Sequence, residues 1–249
     1  MAEKKMKERL VGVLLGIIIL HLLWWLISLA LNMPSLPSPV VVYQNLPNLF
    51  KDQLGWHILV SLRRIFIGLA VALILGGGLG ILMGRSKKAN QILDPIIYLT
   101  YPIPKLALLP MIMLLFGLGE TSKIILVILI LFPQIVLSVR DAILEIPEHL
   151  YDVYEGLQIT PWKKFTMITF PASLSAMLST SRISLGTAIS VLFFAENYGT
   201  KFGMGHLIMD YWLRMDYPAM YGAILVLSTI GFILFLLIDL IAYRFLKWK

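Results

Sequence analysis

Arg63, Arg64, Lys105, Arg182, Glu196 and Asp239 fall inside long apolar runs or at their ends. A charge near the middle of such a span costs about 2.5–3.5 kcal/mol on insertion scales. Each therefore needs a reason: a snorkelled head group, an ion pair, or a place on a pathway for a polar solute or ion. Arg63 and Arg64 lie near one end of their run and can snorkel, and Asp239 can meet Tyr243 one helical turn on. Arg182 and Glu196 stand fourteen positions apart, about 21 Å along a helix. They cannot pair on one straight helix, so each must find a partner elsewhere or reach an interface. Lys105 stands beside Pro104. For all six a structural pair or a snorkelled charge is the commoner outcome, and Glu196 is the strongest pathway candidate among them.

Covalent chemistry finds little support. There is no cysteine, which excludes disulfides and thiolate metal sites, and His21, His57, His149 and His206 are scattered without metal-ligand spacing. No G-x-S-x-G elbow and no H-E-x-x-H motif occur. Gly117-Leu-Gly-Glu-Thr-Ser-Lys123 has glycines and a lysine but not the spacing of a phosphate-cradling loop, so any ATP would be bound by another subunit.

The segment Asp141–Pro171 is the one long polar interruption. It reads as two short helices broken at Thr160-Pro161, with Thr160 able to cap and Pro161 at a first helical position. Tyr151, Tyr154 and Leu157 recur every three residues and give an apolar-aromatic face, with Glu148, Asp152 and Glu155 nearby and Trp162 after the break. A helix lying in lipid headgroups is usually basic. This one is acidic before the break, so docking into a protein groove fits better.

The elements that must position these groups are membrane helices. Hydrophobic residues make up 59% of the chain, charged ones 14%, and mean hydropathy is +0.85, far from soluble composition. The basic N-terminus is followed by an apolar run over 10–31, too long for a signal-peptide core and long enough to cross a bilayer. Five further spans are expected: Ile58–Met83, Pro95–Phe116, Ile124–Val139, Ala176–Ala195 and Ala219–Phe245. Pro102, Pro104 and Pro110 predict a kinked or partly unwound third span, either a packing kink or irregular backbone lining a cavity.

With the N-terminus inside, the inner segments carry Lys4, Lys5, Lys7, Arg9, Arg85, Lys87, Lys88, Arg140, Lys163, Lys164, Arg244, Lys247 and Lys249. The outer loops carry only Lys51, Lys123, Lys201 and Arg214. That asymmetry satisfies the positive-inside rule, puts both termini and the 140–171 loop in the cytosol, and explains a net charge of +7 without nucleic acid. Gly76, Gly80 and Gly84 form a stripe at four-residue spacing, read as packing within the bundle. No internal repeat is visible, which weakens the alternative of an ion-coupled secondary transporter.

The polar segment resembles the "EAA" cytoplasmic loop of ABC importer permeases. Anchored on Pro161-Trp162 and Phe170-Pro171, Asp152-Val153-Tyr154 falls on the E-A-A positions and Gln158 on the glycine. Tyr101–Lys123 is similar to the third-span pattern of the nitrate/sulfonate/taurine branch. Arg182–Glu196 followed by Gly203-Met-Gly205, with Pro37-Ser-Pro39 and Ser61-Leu-Arg63, also fits that branch.

The resemblance implies an all-α, polytopic membrane protein of about six transmembrane helices with the type I importer permease fold. The chain, 1–249, would be a single permease domain with a core bundle over 58–246 and a coupling loop over 140–171. Asp152, Val153, Tyr154, Leu157, Gln158, Thr160, Pro161 and Trp162 would couple to the ATPase. Pro102, Pro104, Lys105, Pro110, Arg182 and Glu196 would be candidates for the translocation path. Implied partners are two ABC ATPase subunits carrying ATP and Mg, an extracytoplasmic solute-binding protein, a second copy of the chain, and membrane lipid. The chain would be a non-catalytic subunit of the cell inner membrane, with no cofactor or metal of its own.

Overall fold

The computed structural model describes residues 2–246 except Gln158, without the side chains of residues 2–10, 52 and 154–156. Among the described residues all regular structure is helical. The order is α1 (Ala2–Leu31), α2 (Pro39–Leu49), α3 (Leu54–Arg85), α4 (Lys87–Thr100), α5 (Leu109–Phe116), α6 (Glu120–Leu144), α7 (Glu148–Gly156), α8 (Pro161–Lys164), α9 (Phe170–Ala195), α10 (Met204–Leu213) and α11 (Tyr217–Phe245). Five helical runs are long and apolar enough to cross a membrane, and α4 with the Lys105–Phe116 stretch makes a sixth if the bent pair is one span. This is a multi-pass membrane bundle.

Its centre is the pairing of α3 with α6. Gly68, Gly76, Gly80 and Gly84 each face the residue 59 positions later: Val127, Ile135, Val139 and Ile143. A constant offset means that the two helices run in the same direction and stay in register along most of their length. Absent side chains on one helix let branched ones on the other approach its backbone, the close packing available in lipid. Leu109, Ile112 and Met113 of α5 and Leu185, Ala188 and Leu192 of α9 complete the core. A second cluster joins Leu49 and Leu54 to Met204, Leu207, Ile208 and Tyr211 of α10 and to Ala219 and Ala223 of α11. α1 lies outside, held by Trp24 Nε1 donating to the Pro37 carbonyl and Ser28 Oγ to that of Leu36, each at 3.1 Å.

One expectation is met and two need correction. The third span is bent by 81°, as its prolines predict. Pro102 and Pro104 fall in the break between α4 and the 3-10 turn Lys105–Leu108, where their missing donors disrupt nothing. Pro110 does not contribute to the bend. It occupies the first turn of α5, where a proline is accommodated. Secondly, α8 is not a separate helix. It continues through a π turn, Phe165–Thr169, into α9 as one run, Pro161–Ala195. Pro171 lacks an amide and crowds the preceding turn, and the widened turn, with the Phe170 amide donating to the Phe165 carbonyl, absorbs this. Finally, α2 and α10 form helices too short to cross a bilayer where the sequence suggests outer loops.

Candidate functional site

Functional side chains gather at the two ends of the bundle. Arg64 and Arg85 mark them, 21 residues apart on α3, or about 31 Å.

At the Arg64 end, His57, Ser61 and Arg64 share one face of α3, at i, i+4 and i+7. Arg64 is 1% exposed. Its Nη1 donates to Glu196 Oε1 at 2.7 Å and to the Phe202 carbonyl at 2.9 Å; its Nε donates to Glu120 Oε2 at 2.9 Å, and Nη2 pairs with Glu120 Oε1. Ser61 Oγ lies 2.8 and 2.9 Å from the Glu196 oxygens and accepts from the Met204 amide at 2.8 Å, while the Gly205 amide donates to Glu196 Oε2 at 2.8 Å. A bidentate guanidinium between two carboxylates is the geometry in which buried charge is best compensated. Arg63, more exposed, pairs with Glu120 at 2.8 Å.

The backbone accommodates this clasp. Gly203 has φ +151 and its α-carbon lies against the Glu196 carboxylate, while a Cβ on Gly205 would sit 2.5 Å from the Phe193 carbonyl oxygen. Arg64 therefore does not snorkel. Glu196, 1% exposed and with both oxygens engaged, offers no atom to a passing solute. It fastens the loop after α9 instead. Lys123 is also buried, its Nζ donating to the Leu118 and Gly119 carbonyls at 2.7 and 3.2 Å.

At the Arg85 end, α7 begins after Pro147 and ends before the Thr160-Pro161 restart. Thr160 takes the N-cap position, φ −60° and ψ 149°, but its hydroxyl makes no capping bond. Tyr151 faces the bundle: its hydroxyl lies 3.0 Å from Thr169 Oγ1, and the Arg85 guanidinium sits 4.2 Å above its ring. This splits the expected aromatic face, since Tyr151 tethers α7 and is not presented. What remains outward is Asp152, Val153, Leu157 at 65% exposure and Trp162 at 71%, the last stacked on Phe165 with ring centroids 5.6 Å apart. The Tyr154 side chain and Gln158 lie outside the described residues. Beside this surface Arg140 pairs with Asp94 and with Asp141.

Between the ends, Lys105 Nζ lies 5.5 Å from the Tyr101 ring centroid, and Arg182 of α9 pairs with Asp239 of α11. Asp239 thus has a partner on a different helix, and Arg182 and Glu196 do find separate partners. The clasp was missed in the sequence although its stripe is legible: three polar side chains on one face of an apolar helix, with carboxylates at the ends of two other spans.

The family of binding-protein-dependent transport system inner membrane components matches residues 68–247. The taurine transport system permease protein TauC of Escherichia coli (strain K12) is 32% identical over 238 residues, 92% of this chain and 86% of that protein. The putative aliphatic sulfonates transport permease protein SsuC of Bacillus subtilis (strain 168) is 29% identical over 215 residues, 86% of this chain and 78% of that protein. The fold is similar to that of the MetNI methionine ABC transporter in inward facing conformations, with a TM-score of 0.61 at 19% identity, covering 77% of this chain and 93% of that one. By these matches the chain belongs to the binding-protein-dependent transport system inner membrane component family, in its sulfonate/taurine-type branch of ABC importer permeases.

Proposed function

We propose that two copies of this chain pair in the membrane around a solute path and couple it to two separate ATPase subunits through α7 and the start of α8. The observation that carries this is the outward set Asp152, Val153, Leu157 and Trp162, fixed to the bundle from behind by Tyr151. An exposed apolar-aromatic patch with an acidic edge, on a short helix held rigidly at its back, suits insertion into a groove of a soluble partner. In this reading the Arg85 end and both termini face the cytosol, in keeping with Lys87, Lys88, Arg140, Lys163 and Lys164 at that end. The Arg64 end faces outward, toward the solute-binding protein. ATP and magnesium belong to the ATPase subunits, whose closure would move α7 and rock the two copies between inward-open and outward-open arrangements. The bent α4–α5 pair, with Pro102, Pro104, Lys105 and Pro110, and Arg182 of α9 are the proposed path elements. Its nearby apolar surface, Leu99, Leu114 and Leu115, suits the second copy. The ion-coupled alternative is set aside by family membership.

The test is transport and hydrolysis by the reconstituted importer carrying Asp152→Arg or Trp162→Ala. Both variants are expected to insert normally and to lose solute uptake by tenfold or more relative to ATP consumed. Uptake that persists when the ATPase is removed would overturn the reading.

A further inference from the structure

At the Arg64 end an open cleft of about 340 Å³ lies between the α2–α3 connection and α10, lined by Lys51, Gln53, His57, Lys201, His206 and Arg214, with Asp210 at its wall. Among the described side chains three fixed cations thus face one carboxylate, and that carboxylate is taken: Arg214 Nη2 lies 2.7 Å from Asp210 Oδ2. Lys51 Nζ donates to Asn48 Oδ1 at 3.1 Å, and neither Lys51 nor Lys201 has an ion-pair partner among the described residues. His57 and His206 lie across the cleft floor with rings 8° from parallel and centroids 6.3 Å apart. Gln53 on the wall and Met215 beyond Arg214 hold left-handed backbone, φ 57° and φ 58°, a conformation that only a surrounding structure can impose on residues other than glycine. His57 Nδ1, 3.1 Å from the Gly203 amide and 2.8 Å from its carbonyl, connects the floor to the Arg64–Glu196 clasp.

We propose that this cleft is where the solute-binding protein docks, that the docking group is a surface carboxylate of that protein, and that His206 on the cleft floor makes docking stronger as pH falls. The proposal rests on the importer reading above. Two unpaired ammonium groups in an open cleft complement a carboxylate on a rigid neighbouring surface, and such pairs govern encounter and register. Among the described residues, the titratable and charged groups lining the cleft with His206 are Lys51 from the α2–α3 connection, His57 from α3, Lys201 from the loop before α10, and Asp210, Tyr211 and Arg214 from α10 itself. Burial first, and the neighbouring His57 second, hold the His206 imidazolium below the usual histidine range, with Asp210 opposing. The His206 imidazole is therefore neutral at pH 8 and gains its proton only below the ordinary range, and that proton adds a positive charge facing the incoming carboxylate. Docking strengthens downward through that window.

The experiment uses the full importer in nanodiscs, with its ATPase and its solute-loaded binding protein, reading hydrolysis against binding-protein concentration. In wild type, half-saturation falls at least threefold from pH 8 to pH 5.5, and His206→Gln flattens that dependence. K51E/K201E raises half-saturation at least tenfold at low salt, leaves the unstimulated rate unchanged, and is relieved by K51R/K201R. Half-saturation within twofold of wild type for K51E/K201E overturns the proposal while leaving the importer reading intact. An effect that vanishes when anionic lipid is omitted assigns the cleft to headgroups and overturns it equally. A binding protein that never stimulates wild-type hydrolysis defeats the importer reading itself.

Discussion

Arg64 Nη1 lies 2.7 Å from Glu196 Oε1, joining two residues 132 positions apart that are each 1% exposed. The same guanidinium holds Glu120, so one side chain closes the ends of α3, α6 and α9. Removing Arg64 strands a buried carboxylate, and breaking such a pair costs about 3–5 kcal/mol. Arg64→Met is expected to lower the apparent melting temperature in detergent far more than Glu120→Gln does, because Glu120 is part-exposed and its loss leaves the buried Arg64–Glu196 pair intact. R64M/E196M should recover much of the loss. Equal stability of R64M and wild type would remove the clasp from the account.

The register of α3 on α6 gives a contrast between two neighbouring glycines. A Cβ on Gly80 would lie 2.7 Å from the Val136 carbonyl oxygen, whereas one on Gly78 meets nothing within 4 Å. Overpacking costs about 1–3 kcal/mol, while an exposed helical glycine gains up to about 1 kcal/mol on becoming alanine. Gly80→Ala should reduce thermal stability and Gly78→Ala should not. The reverse order would contradict the parallel register.

Tyr151 tethers α7 and Trp162 faces away from the bundle, so their variants should fail differently. Tyr151→Phe removes one hydrogen bond, worth about 0.5–1.5 kcal/mol, and keeps the ring under Arg85. It should lower the solute moved per ATP modestly while the ATPase still co-purifies. Trp162→Ala should weaken co-purification itself. Indistinguishable behaviour of the two variants would merge the tether with the docking face.

Arg182 and Asp239 neutralise each other between α9 and α11. An uncompensated charge at that depth costs about 2.5–3.5 kcal/mol on insertion scales. Asp239→Leu should therefore lower the amount of folded protein, and R182L/D239L should restore it. If Arg182 also contacts the solute, the restored double variant remains poor in uptake. Full uptake by R182L/D239L takes Arg182 off the path.

Much of this was legible because lipid imposes strict rules. Apolar length gave the spans, and the glycine stripe gave close packing within the bundle without naming α6 as its partner. Less legible were partners distant in sequence. Arg64 beside an apolar run reads as a side chain reaching for water, since nothing local shows that Glu120 and Glu196 arrive at its depth. The second half of the coupling segment misled for a different reason. Thr160-Pro161 starts a helix as expected, but nothing local shows that this helix runs on past Pro171 through one widened turn into the span. Tyr151 sat on the predicted face because spacing assigns a side and not a direction toward or away from the bundle.

The uninterrupted run Pro161–Ala195 has a mechanical consequence. Trp162 at its tip and Ala195 beside the clasp are two points on one rod, so under the proposed coupling a sideways push at Trp162 is carried to the clasp with no intervening loop to dissipate it. The five-residue π turn is a wider, more compliant link in that shaft. Stiffening or loosening it would retune how much of the push arrives, without touching Trp162 or the clasp.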